Sequence, residues 1–352
     1  MPKISIVITN HNYGHFLRQA IDSALAMDYS DKEIIVSDDG STDNSHAIID
    51  SYGERIVAIK KKNSGQCSAF NSAFPYVNGQ IVFLLDSDDL YLPNAAKEVI
   101  AVWRPGVSKV QFPLLNMDSN GALFGTMFPN FAEAFPPSYI REALITTGLP
   151  PTAPTTGNAY DVGTLGRVWP VPENGELAGI DGYLNVAAPL YGDVITLTRP
   201  LGCYRFHGSN VWAQSKFSPE KLAFYVEQER RRTRYLCRLA AAEGIEISET
   251  VLNNNTHHQM YRMGCRKALG AAGAHGSLLE IWYHGLGAVL RDRLSARAKL
   301  LICIWFTLVA VSPRPLACHF IKQRFVAVSR SGRMIRFMQM MGVLKIPQGL
   351  PH

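Results

Sequence analysis

The first hundred residues alternate continuously apolar runs with segments in which apolar residues recur every three or four positions. The continuous runs predict strands buried on both faces of a sheet, and the helical spacing predicts helices that cover the sheet. This alternation is typical of βαβ units, so we predict an α/β fold with a mainly parallel sheet. The predicted strands are Ile4–Thr9, Glu33–Ser37, Ile56–Lys60 and Ile81–Leu85, and the predicted helices cover residues 16–25, 45–52 and 65–76.

The periodicity weakens between residues 104 and 174, where prolines become dense, as in Pro150-Pro151. We expect this stretch to be a loop-rich half of the same domain, because long loops beside a rigid sheet often carry substrate contacts. Regular structure is predicted to return as a helix over Gly179–Leu190 and a strand over Asp193–Leu197.

The chain beyond residue 217 is predicted to be mostly helical and basic. Residues 221–352 hold 20 of the 35 Lys and Arg residues and 7 of the 29 Asp and Glu residues, a balance of +13 against −7 for residues 1–220. This asymmetry favours an anionic partner such as a membrane surface, and nucleic acid less.

One segment of this basic region, Leu300–Val311, is almost uninterrupted in its apolar character. It is too short to span a bilayer, which needs about 20 residues. A helix lying in the membrane interface and a buried helix or subunit contact both remain open. The basic residues around it are Arg291, Arg293, Arg297, Lys299, Arg314, Lys322 and Arg324.

Length and cysteine usage narrow the class of protein. A chain of 352 residues suits one large domain or two of ordinary size, and its six cysteines are scattered without a CxxC pair. The first strand begins directly after Met1-Pro2-Lys3. We therefore expect a cytoplasmic protein with free thiols and neither disulfides nor a zinc site, peripheral on the inner face of the cell membrane if its basic region binds lipid.

The strand Ile81–Leu85 ends in three carboxylates, Asp86, Asp88 and Asp89. The carboxyl edge of a parallel sheet is where open α/β folds bind ligands. Crowded carboxylates repel one another, and a hard cation such as Mg²⁺ or Mn²⁺ relieves that repulsion. A solvated acidic turn would explain this stretch equally well if it stood alone.

Polar turns also follow the first two predicted strands, at Thr9–Gly14 and at Ser37–Asp43. Two adjacent polar turns at this edge form a crevice suited to a nucleotide. Asp39 could accept a hydrogen bond from a pyrimidine N–H, and His11 could pack against the base. Residues 41–43 also suit a helix cap. Neither a dinucleotide-binding glycine motif nor a P-loop lysine is present.

Four motifs follow one another in the first hundred residues, namely Ser5–Asn12, Glu33–Asp43, Asn63–Asn71 and Asp86–Asp89. In this order and spacing they resemble the family 2 glycosyltransferases, which have the GT-A fold. The resemblance is dense over the first hundred residues and then thins. It implies a GT-A domain over residues 1–216, with a nucleotide-sugar half (1–103) and an acceptor half (104–216), followed by a helical extension over 217–352.

The resemblance implies roles for individual residues on the donor side. Thr9 and Asp39 would form the nucleoside pocket, and Asp86 and Asp88 would be the DXD pair that meets the ribose and a divalent metal. Asp89 would be a supporting carboxylate, or else a cap. The segment that carries Asn63, Gly65 and Asn71 would close over the nucleotide, although a plain helix start explains it too. Two departures from the family pattern are His11, where Tyr is frequent, and Met27, where Gln is frequent.

A carboxylate must also take the proton from the acceptor hydroxyl. Asp181, at the predicted helix start, resembles the family's acidic base, although capping alone would also explain it. Near the end of the resemblance, Arg205 could meet the diphosphate and His207 could complete the metal site. The other candidate bases are Asp161, Glu173, Glu176 and Asp193.

The resemblance implies an inverting, metal-dependent glycosyltransferase. It would move a sugar from a nucleoside-diphosphate sugar, with UDP favoured, to a hydroxyl of a glycan or a lipid-linked acceptor. A sugar-phosphate nucleotidyltransferase and a non-catalytic nucleotide-sugar binding protein are the alternatives. The first would need a Gly-rich basic loop after strand one, which Asn10–Gly14 does not provide.

Overall fold

The computed structural model describes residues 1–131, 133–207, 218–270 and 274–325, apart from the side chain of Thr126. The chain divides into two compact units, which are described separately. Unit 1 comprises Met1–Glu142 and Pro150–His207, and unit 2 comprises Ala143–Leu149 and Gly208–His352. The predicted domain boundary between residues 216 and 217 lies outside the described residues and stays a prediction.

The first half of unit 1 has the predicted alternation of strands and helices. Its strands β1, β2 and β4 are buried along nearly their whole length, as expected for a parallel sheet covered on both faces. Ile6, Ile34 and Phe83 of these strands share one core with Leu17 and Ile21 of the first helix. The elements are β1 (Ile4–Asn10), α1 (Gly14–Leu25), β2 (Lys32–Asp38), α2 (Ser45–Asp50), β3 (Val57–Lys60), α3 (Gln66–Ala73) and β4 (Ile81–Asp86).

The second half of unit 1 differs from the prediction for residues 104–174. This stretch was expected to be rich in loops, and it instead contains four strands and two helices within the part that the structure describes. The elements from residue 90 onward are β5 (Leu90–Tyr91), α4 (Ala95–Ala101), β6 (Val107–Gln111), β7 (Leu114–Asp118), β8 (Leu123–Phe128), α5 (Pro137–Thr147), β9 (Asn158–Asp161), α6 (Val162–Val168), α7 (Ile180–Tyr191), β10 (Asp193–Thr196) and β11 (Gly202–Phe206).

These strands form two sheets. The larger sheet has the order β10-β6-β9-β4-β1-β2-β3, and β9 runs antiparallel to both of its neighbours while β4, β1, β2 and β3 run parallel. The smaller sheet has the order β5-β11-β7-β8. Its strand β11 lies between β5 and β7, so the segment before His207 is fixed beside the turn that follows β4.

Unit 2 is helical in its described part. Its helices share a core that includes Leu222, Met260, Ile281 and Phe306. No helix within the described ranges combines the length and the apolar composition needed to cross a bilayer. The helices are α8 (Pro219–Ala242), α9 (Thr256–Leu269), α10 (Leu278–Arg291), α11 (Ala296–Val311) and α12 (Arg314–Phe325).

A buried lysine lies in the core of unit 1. Lys109, on β6, is 1% exposed, and its ammonium group donates hydrogen bonds to Thr152 Oγ1 at 3.1 Å and Asn185 Oδ1 at 2.8 Å. The Tyr160 hydroxyl donates to the same Asn185 oxygen at 3.1 Å. Burial lowers the pKa of Lys109 to about 7, although the negative charge of Asp181 acts in the opposite direction.

This burial makes stability depend on pH. The unfolded chain has an ordinary lysine pKa of about 10.4, so it binds more protons than the folded chain between about pH 7 and pH 10. The free energy of unfolding should rise with pH in this window, by up to about 1.4 kcal/mol per pH unit from this residue. Lys109→Met should flatten the rise in urea unfolding, whereas Lys97→Met, at an exposed position, should not. Equal slopes in wild type and K109M would contradict the assignment.

Candidate active site

The carboxyl ends of three neighbouring strands meet at one edge of the larger sheet. In the strand register, Thr9 of β1 is paired with Ser37 of β2 on one side and with Asp86 of β4 on the other. Because these strands are parallel, their polar terminal residues lie side by side at the same edge of the sheet. The sequence prediction that the polar turns after β1 and β2 form one crevice is consistent with this register, which also places Asp86 beside Thr9.

The acidic turn after β4 brings two carboxylates and a histidine together. The Asp88 carboxylate lies 2.8 Å from the imidazole Nε2 of His207, which follows β11. Burial and the charges of Asp88 and Asp181 raise the pKa of Asp86 to about 8, against the hydrogen bonds that it accepts. Negative charge is therefore crowded at this turn. In the described part of the chain, no group of three or more His, Cys, Asp or Glu side chains is arranged to hold a metal by itself.

Asp89 points into the protein. It is 1% exposed, and it accepts hydrogen bonds from the Arg205 backbone N–H at 2.9 Å and the Thr156 hydroxyl at 2.7 Å. The Thr156 hydroxyl also accepts from the backbone N–H of Asp86 at 3.1 Å. Asp89 therefore ties the acidic turn to β11, which agrees with the supporting role and not with a helix cap.

Arg205 is placed differently from the sequence expectation. It is 1% exposed, and its guanidinium donates to the Asp88 carbonyl at 2.7 Å and to Gln19 Oε1 at 2.7 Å, with longer bonds of 3.4 Å to carbonyls at residues 118 and 119. It also stacks 4.5 Å from the centre of the Phe16 ring. We had expected a contact with the diphosphate. The geometry instead makes Arg205 a support beneath the acidic turn.

Gln66 connects the acidic turn to the helix that carries the candidate base. Its amide nitrogen donates to Asp86 Oδ1 at 2.8 Å and lies 3.4 Å from the Thr9 hydroxyl, and its amide oxygen accepts from the Ile180 backbone N–H at 3.3 Å. Gln66 belongs to the Asn63–Asn71 motif, but no role was predicted for it. The available signal was an amide side chain at the first position of a helix that begins after a glycine.

Asp39 organises the segment that follows β3. It is 3% exposed, and it accepts hydrogen bonds from Lys61 Nζ at 2.6 Å, the Ser64 backbone N–H at 3.0 Å and the Gly65 backbone N–H at 2.6 Å. Gly65 has a φ of 96°, which few other residues adopt. Asp39 therefore holds residues 61–65 in place, and its predicted contact with a pyrimidine would have to share these lone pairs.

His11 and Asn63 lie together at the exposed side of the crevice. The Asn63 amide is 2.6 Å from the imidazole Nε2 of His11. This contact connects the β1 turn with the Asn63–Asn71 segment, as expected if the two enclose one ligand.

Asn71 has a bracing role. Its amide group donates to the Val171 carbonyl at 2.8 Å and to the Glu173 carboxylate at 2.7 Å, and it accepts from the Val171 N–H at 2.9 Å. We had expected Asn71 to help close over the nucleotide. The structure places it against the backbone of residues 171–173, so it fixes the segment that precedes α7.

Asp38, the neighbour of Asp39, was not singled out in the sequence. It is fully buried and accepts hydrogen bonds from Asn10, Ser41 and His46. Burial acts to raise the pKa of Asp38, but these hydrogen bonds hold it below its ordinary value. A second acid at the end of a buried strand was the signal that sequence reasoning passed over.

The five candidate bases differ in their hydrogen-bond partners, ion pairs and exposure. Asp161 caps α6 by accepting from the Thr164 N–H at 2.8 Å, and Asp193 forms an ion pair with Arg104 at 2.7 Å. Glu173 is exposed and held by Asn71, and Glu176 is half-buried in the segment before α7.

Asp181 lies in the first turn of α7 and is half-buried. Its carboxylate is beside Gly179, where an added Cβ would come within 2.9 Å of Asp181 Oδ1 and 3.3 Å of Gln66 Oε1. Its charge contributes to the raised pKa of Asp86. Asp181 is therefore linked electrostatically to the acidic turn.

Residues 5–124 match the family model described as glycosyl transferase family 2. An uncharacterized glycosyltransferase of Nostoc sp. is 34% identical over 220 residues, which cover 59% of this chain and 66% of that relative. Residues 5–124 therefore carry the sequence features of glycosyl transferase family 2. The chain spans slightly less than two thirds of the length of that relative.

Two solved structures are similar to this chain in fold. Residues 1–349 of S. aureus TarS, in complex with UDP-GlcNAc, align with 97% of this chain and 92% of that chain at a TM-score of 0.52 and 17% identity. The mannosyltransferase PcManGT from Pyrobaculum calidifontis, in complex with GDP-Man and Mn²⁺, aligns with 97% and 84% at a TM-score of 0.51 and 13% identity. The predicted GT-A fold with a helical C-terminal region is therefore confirmed.

The placement of Arg205 can be tested separately from catalysis. Arg205→Lys should lower the free energy of unfolding by about 2 kcal/mol, because lysine lacks the planar fork that reaches Gln19 and the Asp88 carbonyl together. The affinity of the folded variant for UDP, measured by calorimetry, should change little. Arg199→Lys is the matched control, since Arg199 is exposed and paired with Glu98 at the surface. A large loss of UDP affinity in a fully stable R205K protein would instead indicate a contact with the diphosphate.

Proposed function

We propose that this protein is a family 2 glycosyltransferase that transfers a sugar with inversion from a nucleoside-diphosphate sugar to a hydroxyl of a glycan or lipid-linked acceptor. The observation that carries the proposal is the connection through Gln66. One amide side chain joins Asp86 at the end of β4 to the N-terminus of α7, where Asp181 lies. The donor-binding acids and a candidate base therefore belong to one hydrogen-bonded site in unit 1.

The residues at the acidic turn fit a hard divalent cation such as Mn²⁺ or Mg²⁺. Asp88 and His207 would hold it, and Asp86 would contact it or the ribose. Their chemistry is suitable, since burial and then the crowded charge raise the pKa of Asp86, and a cation would relieve that crowding. Few protein ligands are needed, because such ions usually complete their coordination with substrate phosphates and water. When bound, the cation supplies compensation for charge on the leaving diphosphate.

The chain's own residues account for the rest of the reaction. Asp181 would accept the proton of the acceptor hydroxyl as the oxygen of that hydroxyl forms a bond to the anomeric carbon. The bond from that carbon to the diphosphate oxygen would break on the opposite face, and its electron pair would leave with the nucleoside diphosphate. This single displacement inverts the configuration and requires no covalent enzyme intermediate.

UDP is the favoured nucleotide. Thr9 at the end of β1, and His11 and Asp39 in the turns that follow β1 and β2, lie at the carboxyl edge of the larger sheet, where nucleosides bind in open α/β folds. TarS is solved with UDP-GlcNAc and PcManGT with GDP-Man, so both pyrimidine and purine donors occur in proteins of this fold.

A panel of UDP, GDP and dTDP sugars tests the proposal, with release of nucleoside diphosphate as the readout. We expect release from a UDP sugar in the presence of Mn²⁺ and its loss on addition of EDTA. Asp88→Asn should lower the stimulation by Mn²⁺, because it removes a charged ligand. Asp50→Asn, at an exposed acid remote in sequence, is the matched control. Tight binding of a donor without release from any donor would contradict the enzymatic role.

The base assignment is tested by Asp181→Asn. The amide cannot accept the proton, so turnover should fall by about 10²- to 10⁴-fold, while the donor dissociation constant should change little. Asp193→Asn is the matched control, because Asp193 follows the same helix but pairs with Arg104. Turnover by D181N close to that of wild type would show that another residue is the base.

A further inference from the structure

Unit 2 exposes large apolar side chains on two neighbouring helices. They lie on α10 and α11, and each is between 40% and 73% exposed. Isolated exposed apolar residues are ordinary, but a contiguous group of them marks an interaction surface. We call this group the α10–α11 apolar face. Its members are Leu279, Tyr283 and Leu290 on α10, and Leu300, Ile304, Leu308 and Val311 on α11.

Helix α11 is apolar on both its buried side and its exposed side, which accounts for its nearly continuous apolar sequence. Phe306 and Val309 are buried in the core of unit 2. Leu300, Ile304 and Leu308 recur at intervals of four residues and form an exposed stripe. The buried-helix and surface-helix interpretations of the sequence therefore each describe one side of the same helix.

The exposed stripes of the two helices adjoin. The Trp282 indole N–H of α10 donates to the Thr307 hydroxyl of α11 at 3.1 Å, and Thr307 is exposed between Ile304 and Leu308. At the other end, Lys299 Nζ donates to the Leu290 carbonyl at 2.7 Å. The helices are therefore joined along the side on which Tyr283, Leu290 and the α11 stripe are exposed.

The charge around this face is strongly positive. Residues 278–325 contain two acidic residues, Glu280 and Asp292, and Glu280 lies 3.7 Å from Arg262. Arg291, Arg293 and Arg297 are exposed in and beside the connection between α10 and α11. An anionic surface is the complement of this combination. The basic residues in the range are Arg291, Arg293, Arg297, Lys299, Arg314, Lys322 and Arg324.

We infer that the α10–α11 apolar face binds the surface of an anionic lipid bilayer. The exposed leucines and isoleucine would enter the boundary between headgroups and acyl chains, and the arginines would contact lipid phosphates. A two-fold dimer through the same face would bring identical basic residues toward each other, which disfavours a second copy as the occupant. The inference does not rest on the proposed glycosyl transfer, since its surface lies wholly in unit 2.

Flotation of the full chain with vesicles tests the inference. Wild type should float with vesicles of phosphatidylcholine and phosphatidylglycerol, and less with phosphatidylcholine alone. The double variant L300Q/I304Q should bind the anionic vesicles at least about tenfold more weakly, because two apolar side chains no longer enter the membrane. Glutamine keeps the helical preference of these exposed positions, and the unfolding temperature checks that the fold is retained.

The electrostatic part is tested by R293Q/R297Q. Each removed charge should weaken binding to anionic vesicles by about fivefold, with a smaller dependence on salt. Leu123→Gln is the matched apolar control, because Leu123 is similarly exposed but lies in β8 of unit 1. Its vesicle binding should equal that of wild type.

Three results would overturn the inference. Wild type could stay out of the floated fraction with anionic vesicles, or L300Q/I304Q could bind as wild type does. Light scattering could also show a dimer that L300Q/I304Q converts to a monomer, in which case a second copy covers this face. Loss of nucleotide release in a chain that still floats would count against the proposed function alone.

Discussion

The site depends on how the protein manages three carboxylates at the end of one strand. Asp89 is turned inward, where Thr156 and the Arg205 backbone satisfy it, and the Arg205 side chain supports the Asp88 carbonyl from below. Asp86 and Asp88 are partly exposed, whereas Asp89 is buried. An inward acid with matched donors is stable where an unpaired buried charge would not be. This division of the turn leaves Asp86 and Asp88 as the pair for which we propose contacts with a cation and substrate, and it also anchors β11 beside them.

Much of the donor half of unit 1 could be predicted from the sequence. Strands β1, β2 and β4 are mostly apolar and end in polar turns, and register in a parallel sheet then determines that Thr9, Ser37 and Asp86 lie side by side. The roles of individual side chains were less predictable. Arg205 and Asn71 are of the expected types, but their donors are directed at protein carbonyls and carboxylates, which only the assembled backbone determines.

The stretch from residue 104 to 174 was mispredicted for a physical reason. Strand β6 carries the buried residues Lys109 and Gln111. Thr152 and Asn185 accept hydrogen bonds from the Lys109 ammonium group, and the Pro151 carbonyl and the Thr196 hydroxyl accept from the Gln111 amide nitrogen. Those partners come from distant parts of the chain, so the sequence of β6 by itself is too polar to predict a buried strand. Strand β9 has only four residues and lies antiparallel between β4 and β6. Neither a βαβ pattern nor apolar periodicity could indicate it.

Gln66 has a consequence for how the two halves of unit 1 can act together. Its amide oxygen and amide nitrogen are committed to different elements, the N-terminus of α7 and the end of β4. A movement of either element would cost a hydrogen bond in a site that is partly removed from water, where such bonds are worth more than at the surface. Asp39 holds the residues just before Gln66 through Ser64 and Gly65. The proposed nucleoside crevice, the acidic pair and the helix that carries the proposed base are therefore joined through one short segment, residues 63–66, and a displacement of any one of them should alter the positions of the other two.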